Sequence, residues 1–137
     1  HRRSLLTDAP LALLMCDLDH FKTLNDRYGH GVGDLVLTQT AQILSRDAAC
    51  GIVSRYGGEE FSILIPKLTL EEGRRFAESI RQAVSQMKLD VRRETISITL
   101  SIGVASMPED TRDPEELIRL SDQRLYEAKR KGRNRVC

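Results

Sequence analysis

The sequence lacks three things: an excess of charge of one sign, a long apolar run and a paired set of cysteines. Its 137 residues hold 21 Lys and Arg against 20 Asp and Glu, a formal net charge of +1. So small a charge cannot create the broad positive field on which non-specific nucleic-acid binding depends. The longest apolar run, from Leu11 to Cys16, is far shorter than the ~20 residues of a membrane-spanning helix. We therefore expect no nucleic-acid partner and no membrane contact by this domain.

The cysteines are Cys16, Cys50 and Cys137, an odd number without the C-x-x-C spacing of a zinc site. This usage indicates reduced thiols and a cytoplasmic location, which includes the cytoplasmic part of a membrane-anchored protein. Cys16 is expected only to pack in the core. Because the chain begins with His1 rather than Met, we expect a segment of a longer protein, truncated on its N-terminal side.

The length predicts a single domain, residues 1–137, and the pattern of apolar residues places it in the α/β (α+β) class. A content of 40% hydrophobic and 30% charged residues is typical of a folded globular protein of one core. The run from Leu11 to Cys16 is apolar at every position, which predicts a central strand covered on both faces. After it we predict a helix over 20–27, a turn over 28–31 and a helix ending near 47, with Leu35, Leu37, Ala41 and Leu44 on its apolar face. Two strands follow, over 51–56 and 59–65, joined by the tight turn Gly57-Gly58. The last predicted elements are a helix over about 69–87, a half-buried strand over 95–104, and a helix from Asp113 to about 131 that stops at Gly132. This order predicts a mixed sheet with helices packed against it.

Four acidic residues fall at the predicted ends of two strands. Asp17 and Asp19 close the first strand, and Glu59 and Glu60 open the strand after the glycine turn. If these strands are neighbours, the carboxylates converge, and like charges at short distance raise one another's pKa unless a cation such as Mg²⁺ neutralises them. Spacing alone leaves two interpretations open, a metal site or solvated strand ends. The two glycines are likewise either a plain turn or a backbone that lets a phosphate approach.

Longer motifs surround these residues. They are DLDHFKTLNDRYGHGVGD at 17–34, RYGGEEF at 55–61, SIGVA at 101–105 and YEAKRKGRN at 126–134. In order and spacing they resemble the GGDEF family of diguanylate cyclases, in its GGEEF variant, over almost the whole chain. The resemblance implies a fold like the palm of nucleotide cyclases and polymerases, with a largely antiparallel sheet. It also implies a nucleotidyltransferase reaction, in which the 3′-hydroxyl of one GTP attacks the α-phosphate of another and two GTP give cyclic di-GMP and two pyrophosphates.

The resemblance also assigns a site, residue by residue. Asp17, Glu59 and Glu60 match catalytic carboxylates, and these three with the Leu18 carbonyl match the ligands of Mg²⁺ or Mn²⁺. Cations there would offset the charge that builds on the α-phosphate and would lower the pKa of the attacking hydroxyl. The substrate-binding residues that it implies are Asn25 and Asp34 for guanine, and Phe21, Lys22, Gly57, Gly58, Lys129 and Arg133 for the phosphates.

Asp34 is the residue that would select the base. A carboxylate accepts from the N1–H and the exocyclic amine of guanine together, a pair of donors that adenine cannot present. Without the resemblance, Asn25 and Asp34 would each be interpreted as a helix cap or a turn residue. Asp19 is expected to be structural, as a cap for the helix that follows, and His30 is expected to be a structural residue of its turn.

The family works as pairs of domains that each hold one GTP, so the resemblance implies a homodimer and control by an upstream sensory or regulatory domain. The family's D-x-L-T-x-L-x-N-R stretch is missing here, and only residues 2–6 match the end of the helix that it opens. The R-x-x-D motif, where product inhibits many members, is replaced by Ala48-Ala49-Cys50-Gly51. Because neither charge is present, we expect no strong feedback inhibition by that route.

Four functions remain open at this point. They are an active diguanylate cyclase, a catalytically silent module that binds GTP or cyclic di-GMP, a cyclase that makes a mixed adenine and guanine product, and a dimerisation module without a nucleotide site. The unbroken set of matching residues favours the first, and Asp34 argues against the third.

Overall fold

The computed structural model describes residues 9–48, 51–55 and 57–137 and shows a mixed fold of helices and antiparallel strands. The strands are β1 (Leu11–Leu18), β2 (Ile52–Arg55), β3 (Glu60–Pro66), β4 (Leu89–Val91), β5 (Glu94–Ile96) and β6 (Leu100–Met107). The helices are α1 (Phe21–Tyr28), α2 (His30–Asp47), α3 (Leu70–Ser85) and α4 (Pro114–Arg130). The main sheet has the order β2-β3-β1-β6, and β4 and β5 form a second sheet of two strands. The predicted fold class is confirmed.

Strand β1 is the centre of the main sheet, as its apolar sequence predicts. It pairs antiparallel with β3 on one side and with β6 on the other. Every residue from Ala12 to Leu18 is buried. The strand runs two residues beyond the predicted end, so Asp17 lies inside it rather than after it.

Strand β6 is buried on both faces because two helices cover it. On one face, a Cβ added to Gly103 would lie 2.2 Å from the Ser121 carbonyl oxygen and the Leu125 nitrogen of α4. On the other face, Val104 lies against Gly73 of α3, whose added Cβ would be 3.2 Å from Val104 Cγ1. The absence of a side chain at Gly103 therefore lets α4 approach the sheet closely.

The strand predicted over 95–104 is wrong as a single element. Its first part is β5, which pairs with β4, and its last part begins β6, which pairs with β1. Residues 97–99 carry the chain from the small sheet to the large one. The expected alternation of buried and exposed residues is present over 95–98, but it is wrong over 100–104, where Ser101 and Gly103 are buried as well. Strand β4 was not predicted.

The turn predicted over 28–31 is narrower in the structure. Only Gly29 separates α1 from α2, with a φ of 92° that favours glycine. His30 therefore begins α2 and is exposed. The apolar face of α2 also differs from the prediction: Leu35 is 43% exposed, and Val36 beside it is fully buried.

Helix α4 begins as predicted, since Asp113 accepts a hydrogen bond from the Glu115 N–H at 3.2 Å. It ends at Arg130, and Gly132 follows with a φ of 126°. The last residues then run beside β6 in the parallel direction, with a bridge between Ile102 and Val136. The named strands of the main sheet all pair antiparallel, so the largely antiparallel sheet is confirmed, and the parallel pairing is confined to this bridge.

Some expectations fall on residues outside the described ranges, namely residues 2–6, Ala49, Cys50 and Tyr56. Among the described helices, none combines the length and the apolar character needed to cross a bilayer. Cys16 is fully buried, and burial, with Asp17 beside it, raises the pKa of its thiol. It packs in the core, as expected.

Candidate active site

The carboxylates of the predicted metal site meet at one end of the main sheet. Asp17 of β1 lies directly opposite Glu60 of β3. The Leu18 N–H donates to the Glu59 carbonyl at 3.3 Å. Asp17 is buried, while Glu59 and Glu60 are half-buried. The two strands are therefore neighbours, which is the condition for the acidic residues to converge.

Burial and mutual repulsion change the acidity of both glutamates. Loss of water raises the pKa of Glu59, and the negative charge of Asp17 raises it further. The same two causes, in the same order, raise the pKa of Glu60. Lys129 opposes both shifts but does not cancel them. The acidic cluster thus carries more negative charge than Lys129 neutralises.

One cation already reaches this cluster from α4. Lys129 Nζ donates to Asp17 Oδ2. Asp17 Oδ1 is buried and has no hydrogen-bond partner among the described residues. A buried oxygen in this condition costs about 1–3 kcal/mol or more. The resemblance assigned Lys129 to phosphate, whereas here it neutralises part of the carboxylate cluster.

The donors at this edge fit a hard divalent cation. Carboxylate oxygens are the ligands that such ions prefer, and the unpartnered Asp17 Oδ1 has room in its coordination for one. No three acidic, histidine or cysteine side chains of residues 9–48, 51–55 and 57–137 already enclose a metal-sized space. Binding an ion would therefore require these carboxylates to rearrange around it.

A hollow of about 240 Å³ lies at the carboxylates; Asp17, Asp19 and Glu59 line one part of it, and we call it the basic hollow after Lys22, Lys129 and Arg133, which line the rest. The predicted site residues that line it are Asp17, Leu18, Phe21, Lys22, Glu59, Lys129 and Arg133. The N-terminus of α1 is at this hollow. His20, its N-cap, makes no side-chain hydrogen bond to the helix, so the first amides of α1 have no side-chain acceptor. These free amides, together with the basic side chains of Lys22, Lys129 and Arg133, can bind the negative charge of a polyphosphate.

Asn25 and Asp34 lie away from the basic hollow. Asn25 packs against Gly33, where an added Cβ would be only 1.7 Å from Asn25 Oδ1, and that oxygen is buried without a partner among the described residues. Asp34 follows Gly33 in α2 and is exposed. It lines a groove of about 680 Å³ between α2 and the β2–β3 hairpin, with Leu37, Arg55 and Phe61 among its other lining residues. The structure thus places Asn25 of α1 against the residue before Asp34 in α2, while Asp34 alone of the two lines the groove.

The glycine hairpin is wider than the two-residue turn that was predicted. Among the described residues, Gly57, Gly58 and Glu59 all lie outside the strands, so Glu59 belongs to the connection rather than to β3. Gly57 has a φ of 87°, and the Gly58 carbonyl accepts hydrogen bonds from Arg55 Nη2 at 2.8 Å and Nε at 3.2 Å. Both glycines are exposed and lie outside the linings of the hollow and the groove. Their contact with phosphate stays a prediction.

Asp19 does not cap α1, so that expectation is wrong. The N-cap residue is His20, and the Asp19 carboxylate points away from the helix amides to three other donors. They are Thr99 Oγ1 at 2.7 Å, Ser101 Oγ at 2.6 Å and the Asn134 N–H at 3.0 Å.

Asp122 is a site neighbour that was not predicted. It lines a hollow of about 290 Å³ with Glu60, Tyr126 and Lys129, and burial raises the pKa of its carboxyl. Asp122 precedes Lys129 by seven residues, about two helical turns, so the helical periodicity of α4 places both on one face. That spacing is the signal that would have found it.

An acidic cluster beside a basic hollow, at the strand ends of an antiparallel sheet, is typical of domains that bind a nucleoside triphosphate together with a divalent cation. The comparisons with known proteins narrow this class. A family model described as "Diguanylate cyclase, GGDEF domain" matches residues 2–135, and the chain belongs to this family. Diguanylate cyclases of the GGDEF family generally use a divalent metal ion.

Relatives and solved structures agree with the family. The chain is 39% identical over 138 residues to the response regulator PleD of Caulobacter vibrioides, covering 98% of this chain and 30% of PleD. It is 43% identical over 130 residues to diguanylate cyclase VdcA of Vibrio cholerae, covering 92% of this chain and 38% of VdcA. The structure of the active GGEEF domain of a diguanylate cyclase from Vibrio cholerae matches with a TM-score of 0.89 and 36% identity, over 99% of this chain and 86% of that one. The chain spans about a third of the length of the curated relatives that it matches.

Proposed function

We propose that this chain is the catalytic domain of a diguanylate cyclase, a GGEEF variant of its family, which condenses two GTP into cyclic di-GMP and two pyrophosphates. The observation that carries the proposal is the basic hollow. It gathers Lys22, Lys129 and Arg133 beside the carboxylates of Asp17 and Glu59. A triphosphate needs the cations, and attack on its α-phosphate needs a metal site next to them.

Asp17, the Leu18 carbonyl, Glu59 and Glu60 would hold the divalent ion, Mg²⁺ or Mn²⁺. When bound, the ion offsets charge on the α-phosphate and favours the deprotonated 3′-hydroxyl. The chain's own contribution is to keep these carboxylates close together where β1 ends and β3 begins. Lys129 supplies positive charge to Asp17 there and is also within reach of the hollow.

Base selection is the second part of the proposal. Asp34 is exposed and lines the 680 Å³ groove, and Asn25 packs against its neighbour Gly33. A guanine base that enters this groove gives Asp34 two donors, N1–H and the exocyclic amine. Adenine would leave the carboxylate unpaired, which costs binding free energy.

We also propose a homodimer as the working form. One basic hollow and one groove provide for one GTP, while the product contains two nucleotides. Two copies related by a two-fold axis would bring two GTP molecules face to face. Because the relatives are about three times longer, an upstream sensory or regulatory domain is proposed to control this pairing. The proposed location is the cytoplasm, which supplies GTP and keeps thiols such as those of Cys16 and Cys137 reduced.

The direct test is product analysis. The protein is incubated with GTP, ATP or both, in the presence of Mg²⁺, and the products are identified by mass spectrometry. We expect cyclic di-GMP from GTP alone and no mixed product. A protein shown to be dimeric that binds GTP but forms no cyclic di-GMP would instead be a silent binding module.

Matched variants locate the chemistry. Glu59→Gln and Asp17→Asn should each lower turnover by about a hundredfold or more, because they remove a ligand of the ion that offsets the developing charge. Glu71→Gln is the control, since Glu71 is 83% exposed on α3 and meets only Arg75 at 3.8 Å. Equal turnover in Glu59→Gln and Glu71→Gln would refute the assignment.

A further inference from the structure

Asp19 joins three segments that are far apart in the sequence. Its Oδ1 accepts from Ser101 Oγ, and its Oδ2 accepts from both Thr99 Oγ1 and the Asn134 N–H, at 2.6–3.0 Å. The residue is 5% exposed. One buried carboxylate therefore connects the end of β1, the start of β6 and the turn after α4.

That turn needs an anchor because its backbone is in an uncommon conformation. Gly132, Arg133 and Asn134 have φ values of 126°, 63° and 48°. Glycine adopts positive φ freely and asparagine tolerates it, but for arginine it is unfavourable. The start of the turn is held to α4 by backbone bonds, including Arg133 N–H to the Ala128 carbonyl at 2.9 Å, and Asn134 has a second contact, from Arg81 Nη1 to its Oδ1 at 2.7 Å, which is solvent-exposed. The bond from Asp19 is the more protected of the two.

The turn places Arg133 at the basic hollow. Arg133 lines the hollow with Lys22 and Lys129, and Asp19 lines it too. With three donors on its two oxygens, Asp19 is poorly placed to act as a metal ligand, in contrast to Asp17 and its unpartnered Oδ1. Its connection to the site therefore runs through the turn.

We propose that Asp19 is a positioning residue that holds the Gly132–Asn134 turn, and with it Arg133, against the phosphates of GTP. This inference rests on the proposed function, because it takes the basic hollow as the triphosphate site. If Asp19 acts through Arg133, its removal has no further effect once the Arg133 side chain is gone.

A double-mutant cycle tests this dependence. The probe is 3′-deoxy-GTP with Mg²⁺, which lacks the attacking hydroxyl and is not consumed, and its dissociation constant is measured by calorimetry. Loss of the charge-assisted bond in Asp19→Ala should weaken binding about tenfold. Arg133→Ala should weaken it at least as much, and the double variant should bind no more weakly than Arg133→Ala. Additive losses would overturn the proposal.

Two controls separate positioning from general stability. Ser101→Ala removes a buried bond to Asp19 on the β6 side, so it should lower Tm yet leave affinity within about twofold. Asp19→Asn keeps an acceptor for the Asn134 N–H and gives Ser101 Oγ an N–H donor, so it should retain affinity within about threefold. Equal losses in Ser101→Ala and Asp19→Ala would refute the inference.

If Asp19→Ala does not fold, Asp19→Ser takes its place in the cycle, because its side chain is shorter but keeps one polar group. A wild-type protein that binds no 3′-deoxy-GTP would contradict the proposed function itself. Wild-type binding with additive losses in the cycle would contradict only the role of Asp19.

Discussion

Gly103→Ala is the substitution for which the packing of the sheet gives the sharpest expectation. The added Cβ would lie 2.2 Å from the Ser121 carbonyl oxygen and 2.2 Å from the Leu125 nitrogen, where ordinary contact is 3.4–4 Å. Both atoms belong to the backbone of α4, so no change of rotamer relieves the overlap. The helix would have to move away from β6 by about 1 Å.

The expected cost follows from this displacement. Overpacking a well-packed core costs typically about 1–3 kcal/mol, and here a whole helix must shift rather than one side chain, so we expect about 3 kcal/mol. For a domain of this size that corresponds to a fall in Tm of about 10 °C. Urea denaturation followed by circular dichroism measures the loss as a lower midpoint with an unchanged slope.

Gly31→Ala is the matched control. Gly31 lies in the first turn of α2 with no atom within 4 Å of an added Cβ and no positive φ. Alanine there should leave stability unchanged or raise it by up to about 1 kcal/mol. If Gly103→Ala and Gly31→Ala had the same urea midpoint, the close approach of α4 to β6 would be refuted.

Three further predictions concern acid stability, base choice and feedback. Hydrogen bonds from Arg124 hold the pKa of the Asp110 carboxyl below its usual value. The stabilisation by this pair is therefore complete above the unfolded pKa of ~3.9, and it is lost as the pH falls through the lower pKa of the folded state. Asp110→Asn should therefore lower Tm at pH 7 and flatten the fall of Tm below pH ~4, and an unchanged Tm profile would contradict this. Asp34→Asn should reduce the preference for GTP over ATP by about tenfold or more in competition binding, and an unchanged preference would exclude Asp34 as the base reader. Because Ala48 and Gly51 carry neither charge of the R-x-x-D motif, calorimetry of a catalytically inactive variant should show no sub-micromolar cyclic di-GMP site outside the active site, and finding one would show another route of feedback.

The sequence predicts the features that depend on short-range pattern. The apolar run of β1 is sufficient to identify a central strand, and Asp113 with Pro114 is sufficient to start α4. The resemblance to the family also implies that Asp17 and Glu60 lie together, and the register of β1 and β3 places them opposite each other. Each of these depends on neighbours along the chain or on a motif whose parts are already in sequence order.

The features that were missed depend on partners far away in the chain. Residues 97–99 continue the alternation of β5 into β6, and no local signal shows that the chain changes sheets there. Ser101 is polar but buried, because its hydroxyl donates to a carboxylate 82 residues earlier. The same distant donors make Asp19 a link between segments, although its position after a strand and before a helix is typical of a cap.

Gly103→Ala also tests whether the phosphate contacts and the guanine contact of the proposed site are independent of each other. Lys129 and the turn with Arg133 belong to α4 and its end, so a shift of α4 moves the phosphate contacts. Asp34 lies on α2, which packs against α1 rather than against α4. We therefore expect this variant to bind 3′-deoxy-GTP and 3′-deoxy-ATP more weakly by the same factor, with their ratio unchanged. A changed ratio in calorimetry would show that the position of α4 is transmitted to the guanine contact, and would contradict the division of the site into two independent parts.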